Sequence, residues 1–140
     1  MFSHIMLGTN DLVASRRFYD AVMPTLGCAC HEAGDSYAGY GLQEDMGSGQ
    51  NCLWLGLPAE GEAATCGNGT NVALLAETRE QVDRFYATAL TAGALDEGAR
   101  RDCATFILIF TRPISETLMA ISWWLFAIEL MASAMPEPHR

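Results

Sequence analysis

Few residues in this 140-residue chain are candidates for chemistry, and most of them lie in its first half. In Phe2-Ser3-His4-Ile5-Met6-Leu7 the alternation puts Phe2, His4 and Met6 on one strand face and Ser3, Ile5 and Leu7 on the other. An imidazole in that position either ligates an ion or lines a cavity while hydrogen-bonded to a neighbour. Tyr37, Tyr40 and Trp54 offer an aromatic wall for a small ligand. Cys52 and Trp54 share the alternate face of their segment, a spacing that also suits packing. Cys28, Cys30, Cys52, Cys66 and Cys103 form an odd set without a CxxC pair, and each reads as a small buried hydrophobe with a reduced thiol. No nucleophile elbow, P-loop or dinucleotide fingerprint is present, and Gly39, Gly41 and Gly56 are too dispersed to cradle a phosphate. Arg16 and Arg17 read as a solvated helix face. No residue is identifiable as a catalytic acid, base or nucleophile.

The elements around these residues follow from periodicity. Thr9-Asn10-Asp11 supplies N-cap oxygens, and Leu12, Ser15, Phe18/Tyr19, Val22 and Met23 keep helical spacing until Pro24 and Gly27. Strands are predicted over Cys28–Ala33, Tyr37–Leu42 and Cys52–Leu57, with Gly34-Asp35 and Asp45-Met46-Gly47-Ser48-Gly49 between them. Thr78 with Gln81 forms a capping box ahead of the stripe Val82, Phe85, Tyr86, Ala89, and Gly93 stops that helix. Asn68-Gly69-Thr70 reads as a turn.

Composition bounds the function. The length suits one domain with a real core. A formal charge of -9, from 17 acidic residues against 8 arginines and no lysine, argues against a nucleic-acid surface. Lysine-free, Ala/Gly/Arg-rich usage points to a GC-rich gene. Met1-Phe2-Ser3-His4 leads straight into strand-like sequence, so the expectation is a cytoplasmic protein.

A shift of 67 places aligns Arg17-Phe18-Tyr19 with Arg84-Phe85-Tyr86, and His4, Ile5 and Leu7 with Asn71, Val72 and Leu74. The chain thus reads as a first β-α-β-β-β module over residues 1–66 and the start of a second over 67–99. The opening His4-Ile5-Met6-Leu7-Gly8-Thr9-Asn10-Asp11-Leu12, followed by Ser15-Arg16-Arg17-Phe18-Tyr19, resembles the vicinal oxygen chelate superfamily, which contains glyoxalase I, bleomycin-resistance proteins and extradiol dioxygenases. The resemblance runs from Met1 to about Ala99. It implies an α+β fold of paired βαβββ modules forming a cup, a small-molecule ligand, a homodimer and, in metal-using members, a divalent ion acting as a Lewis acid.

Carried over by position, His4 stands at the first metal ligand and Asn71 at its symmetry mate, where an amide is a weak ligand. The strand Cys52-Leu53-Trp54-Leu55-Gly56 offers no Glu. The expectation is a degraded or absent metal site within a ligand pocket of His4, Tyr37, Tyr40, Trp54 and Asn71. Two functions compete: a lactoylglutathione-lyase-like or dioxygenase-like activity needing metal at His4, and metal-free binding that sequesters a small molecule. An inert product is the third reading, for the following reason.

From Arg100 the composition changes. Cys103 to Met135 carries only Arg112, Glu116 and Glu129 as charged residues, and the Asp-Pro-Asp-Gly turn implied before the last strand is absent. Reading the gene one nucleotide earlier restores it. Ser115 to Ile121, encoded TCC GAG ACC CTG ATG GCA ATA, contains CGA GAC CCT GAT GGC AAT, or RDPDGN. The same shift from Arg100 to Ile128 permits PGLRHFHPDFYAAYFRDPDGNKLVAFCH, then a stop. Met119-Ala120 forces the Gly and Trp123-Trp124 the Val, whatever codons are used elsewhere. The segment after about Ala99 therefore reads as frameshifted, and the second module as atypical or incomplete. Read in frame, Thr105–Phe110 is a strand and Ser115–Ser133 mostly helix. Leu118 to Met135 has 18 residues, near the lower limit for a membrane span. Glu129 costs about 2.5–3.5 kcal/mol there, so an anchor is not expected.

Overall fold

Thr9-Asn10-Asp11 turns the chain from its first strand into its first helix, and side-chain hydrogen bonds fix that turn. In the computed structural model, which describes residues 3–50, 52–65, 71–96, 106–110 and 120–121, β1 (His4–Gly8) runs into Thr9. The Thr9 hydroxyl oxygen accepts the Asp11 N–H at 3.1 Å. Asp11 is the N-cap of α1 (Leu12–Val22), its carboxylate accepting the Ala14 N–H at 2.9 Å. The Ser15 hydroxyl donates to the Asp11 carbonyl. Its one proton is thereby used, so Thr9 is the donor in the 2.6 Å contact between the two buried hydroxyls. A 3₁₀ turn over Met23–Leu26, with Pro24 inside it, ends the helix at Gly27, whose φ of 75° favours a residue without Cβ.

β2 (Cys28–Ala33), β3 (Tyr37–Leu42) and β4 (Cys52–Gly56) complete a sheet of order β1-β4-β3-β2. β1 runs parallel to β4, and the other pairs are antiparallel. Two predicted strands hold to the residue; the first begins at His4 rather than Phe2, and the fourth stops at Gly56. A bulge between Cys30 and Glu32 interrupts β2, the outer strand, and blunts that edge against pairing with another chain.

The second unit repeats the start of the first. β5 (Asn71–Leu75) precedes α2 (Arg79–Thr91), which opens on the expected capping box: Gln81 N–H to Thr78 Oγ1 and Thr78 N–H to Gln81 Oε1, both 3.2 Å. Positions related by the 67-residue shift are buried in both helices: Ser15 and Val82, Phe18 and Phe85, Val22 and Ala89. Tyr86, predicted in the same stripe, is half-buried. α1 packs on one face of the first sheet, α2 packs against α1 and the 3₁₀ turn, and Ala38, Tyr40, Leu53 and Leu55 join the same core. Full burial of each large apolar side chain there stabilises by about 1.5–3 kcal/mol.

β6 (Leu95–Asp96), β7 (Phe106–Phe110) and β8 (Ala120–Ile121) form a second sheet of order β5-β7-β8-β6. β7 is the strand expected over Thr105–Phe110, at Phe106–Phe110; Thr105 lies outside the described residues. The helix expected over Ser115–Ser133 is corrected at Ala120–Ile121, which pair with β7 and β6 as a strand. β-branched Ile suits an extended backbone, and the ladder overrides the local helical pattern. The rest of that segment, Asn68-Gly69-Thr70, Cys66 and Cys103 lie outside the described residues. Among the described residues no helix is long and apolar enough to cross a membrane.

Candidate functional site

α1 covers one face of the first sheet, so strand alternation decides which side chains reach the other. The register sets His4 beside Cys52, Met6 beside Trp54 and Trp54 beside Gly39. Residues paired this way point to the same side of a sheet. Two glycines make the floor. The Trp54 indole atoms lie 3.1–3.2 Å from where a Cβ on Gly39 would stand, and the Met6 methyl occupies the corresponding space above Gly56. A side chain on Gly39 would push the indole off the sheet.

Tyr37 flanks Trp54 with ring centroids 5.6 Å apart at 50°. Its hydroxyl donates to Glu32 Oε1 at 2.8 Å, and that carboxylate keeps the phenol protonated by pushing its pKa up. His4 is exposed, with Nδ1 2.9 Å from the Ser3 hydroxyl. A cavity of about 730 Å³ opens over this surface, lined by His4, Met6, Tyr37 and Trp54 from the strands and by Leu57 and Pro58 after β4. That volume lies within the range of small-molecule pockets, and an apolar wall with one or two polar groups is their usual composition. A second cavity, about 210 Å³, lies at the seam where His4, Ile5 and Cys52 face Val72, Ala73 and Leu74 of β5. His4 borders both.

Of the five residues expected to line the pocket, the structure brings together His4, Tyr37 and Trp54. Tyr40 is a correction. It stands one residue out of phase with Tyr37 and Gly39, so its ring enters the core 5.7 Å from the Tyr19 ring and its hydroxyl donates to Asp20 Oδ1 at 2.8 Å. Burial, reinforced by that hydrogen bond, raises its pKa far above the usual phenol value. Asn71 is the first residue of β5, in register with Phe110; its side chain lies outside what the structure describes. Arg16, expected on a solvated face, is half-buried, and its Nε has no hydrogen-bond partner among the described residues. Leu57 and Pro58 were not anticipated as lining. Leu57 closes the strand expected over Cys52–Leu57 but lies beyond the end of β4, and with Pro58 it reaches the cavity only through the fold.

Among the described residues no three His, Cys, Asp or Glu side chains converge. Trp54 can only donate, the Tyr37 hydroxyl is engaged by Glu32, and Cys52 gives its proton to the Gln50 carbonyl at 3.1 Å. A catalytic zinc takes three protein ligands and calcium takes six to eight oxygens. The arrangement supports shape-selective, stacking-based binding of an apolar or aromatic molecule, with the His4 imidazole as a polar anchor.

No protein-family profile matches the chain, and no curated protein matches it either. Among solved structures, it is similar to a glyoxalase/bleomycin resistance protein from Albidiferax ferrireducens T118, with 31% sequence identity and a TM-score of 0.62. The match covers 86% of this chain and 97% of that one. Identity at this level over nearly the whole of the solved relative, together with the β1-β4-β3-β2 sheet backed by α1, places the chain in the glyoxalase/bleomycin resistance family.

Proposed function

We propose that this protein binds a small planar, largely apolar molecule in the cavity over Trp54 and acts without a divalent ion. The observation that carries this reading is the Trp54–Tyr37 pair, held above Gly39 beside the His4 imidazole, with no three metal-ligating side chains converging among the described residues. Stacking and burial supply the affinity, and His4 the orientation. A lyase or dioxygenase activity of the lactoylglutathione type would need ligands beyond His4. A homodimer belongs to the same reading, supported by Ile5, Val13 and Leu75, which are left at the surface. So does a cytoplasmic location, supported by the free thiols of Cys28, Cys30 and Cys52. Titration with a neutral polycyclic aromatic probe in the presence of EDTA tests the binding. Saturation that is lost in Trp54→Ala supports it, and binding that appears only on adding Mn²⁺ or Zn²⁺ contradicts it. Light scattering at micromolar concentration tests the dimer.

A second reading concerns the end of the chain. We infer that the segment after about Ala99 is translated out of its ancestral frame. The strand order favours this. Two modules related by a 67-residue shift should build alike, yet β1 pairs in parallel with the last strand of its module while β5 pairs antiparallel with β7. The shifted reading supplies an Asp-Pro-Asp-Gly-Asn turn and a following strand that can take the parallel place beside β5. Sequencing the gene across these codons, with the intact mass of the natural protein, decides it. A chain ending beside position 128 is the expected result, and a mass of 15.2 kDa from an intact frame contradicts it.

A further inference from the structure

Beyond the aromatic pocket, the first sheet holds a thiol and an imidazole whose hydrogen bonds leave them complementary. His31 lies at the β2 bulge, and its Nε2 is 2.8 Å from the Leu42 carbonyl. A carbonyl only accepts, so Nε2 carries the proton and Nδ1 presents a lone pair. Facing Nδ1 at 4.0 Å is Cys52 Sγ. The one thiol proton is shared between the Gln50 carbonyl at 3.1 Å and the longer approach to Nδ1, and the shorter contact leaves the Nδ1 lone pair weakly engaged. Cys52 also borders the seam cavity, which gives the sulfur a path to solvent.

We propose that Cys52 and His31 bind a soft monovalent d¹⁰ cation of the Cu(I) class between Sγ and Nδ1. The separation fits. With zinc's bonds of about 2.3 Å to a thiolate and about 2.0–2.1 Å to an imidazole as a guide, two collinear donors stand roughly 4.3 Å apart, so a shift of a few tenths of an ångström opens the observed gap to fit. Thiolate selects a soft ion. With no third donor converging among the described residues, the pair falls short of a tetrahedral zinc site and matches an ion satisfied by two ligands. The Leu42 carbonyl acts as the outer partner that metal-bound histidines require, fixing both tautomer and ring orientation. On binding, the Cys52 S–H bond breaks, its proton leaves to solvent, and the sulfur lone pair and Nδ1 form the two bonds to the cation. No electron is transferred.

Silver(I) has the same coordination chemistry without redox activity and is the probe. Reduced, full-length, ¹⁵N-labelled protein is titrated with Ag⁺ up to one equivalent per thiol while the histidine ring nitrogens are followed by NMR. The expected result is that the His31 Nδ1 resonance moves during the first equivalent and that Cys52 becomes protected from alkylation. His31→Gln should weaken this first binding step by about tenfold or more. Cys30→Ser, which alters an exposed thiol, should leave the His31 response unchanged. A His31 resonance that stays in place through the whole titration, or a first equivalent held equally well by His31→Gln, overturns the proposal. The His31→Gln arm keeps the test decisive even if Cys52→Ser fails to fold.

Discussion

Trp54 lies across Gly39: a Cβ at position 39 would stand 3.1 Å from the indole, too close for the ring to keep its place. The absence of a side chain on β3 is thus what lets an aromatic on β4 lie flat and form a wall of the cavity. Gly39→Ala should lift the ring by a few tenths of an ångström. Because Trp54 is half-exposed, the stability cost should stay near 1 kcal/mol, the low end for overpacking. Binding of an aromatic probe should fall by about tenfold, about 1.4 kcal/mol. Thermal denaturation and probe titration of the same variant check the two numbers together.

The buried Thr9–Ser15 pair links the end of β1 to the start of α1, with every polar atom assigned a partner. Thr9→Val keeps the shape but removes the acceptor for the Asp11 N–H and the donor to Ser15. Leaving buried polar groups unpaired costs about 1–3 kcal/mol. Urea denaturation of Thr9→Val should show a loss in that range, with an unchanged m-value.

Alkaline pH should destabilise the fold. Burial, with contributions from Tyr40 and Asp20 respectively, raises the phenol pKa values of Tyr19 and Tyr40 above 10. Between the unfolded and folded values the unfolded chain has lost protons that the native state retains, so unfolding gains with each unit of pH. The stabilisation is complete below pH 10 and declines above it, while the raised thiols of Cys28 and Cys52 begin the same decline nearer pH 9. Tyr40→Phe should cost about 1 kcal/mol at neutral pH, through the lost hydrogen bond to Asp20. It should also make the alkaline decline shallower. Urea midpoints between pH 7 and 11.5 check both.

Local chemistry makes the starts of both modules legible. The Asp11 cap, the Thr78–Gln81 box and the strands Cys28–Ala33 and Tyr37–Leu42 are set by nearby residues, and the 67-residue echo exposes the duplication. Phase within a strand was harder. Tyr37 and Tyr40 both looked like pocket residues, but they stand three apart on β3, so they face opposite sides, and α1 claims Tyr40. Leu57, at the end of an expected strand, and Pro58 gave no sign of a pocket role because they follow β4 and tertiary packing alone carries them to the cavity rim. The His31–Cys52 approach was equally invisible, since it depends on a bulge that re-aims one side chain across the sheet. In the second module, Ala120–Ile121 became strand because a ladder partner outweighed the apolar helical pattern around it.

The central claim is that the cavity over Trp54 binds a planar apolar molecule without a divalent ion. Its most direct test is calorimetric titration of the metal-stripped full-length protein with a neutral polycyclic aromatic probe, with and without EDTA. The account predicts one saturable site, indifferent to EDTA, weakened at least tenfold by Trp54→Ala and less by His4→Ala. Absence of binding in stripped protein, with recovery on adding a divalent ion and loss in His4→Ala, would contradict it.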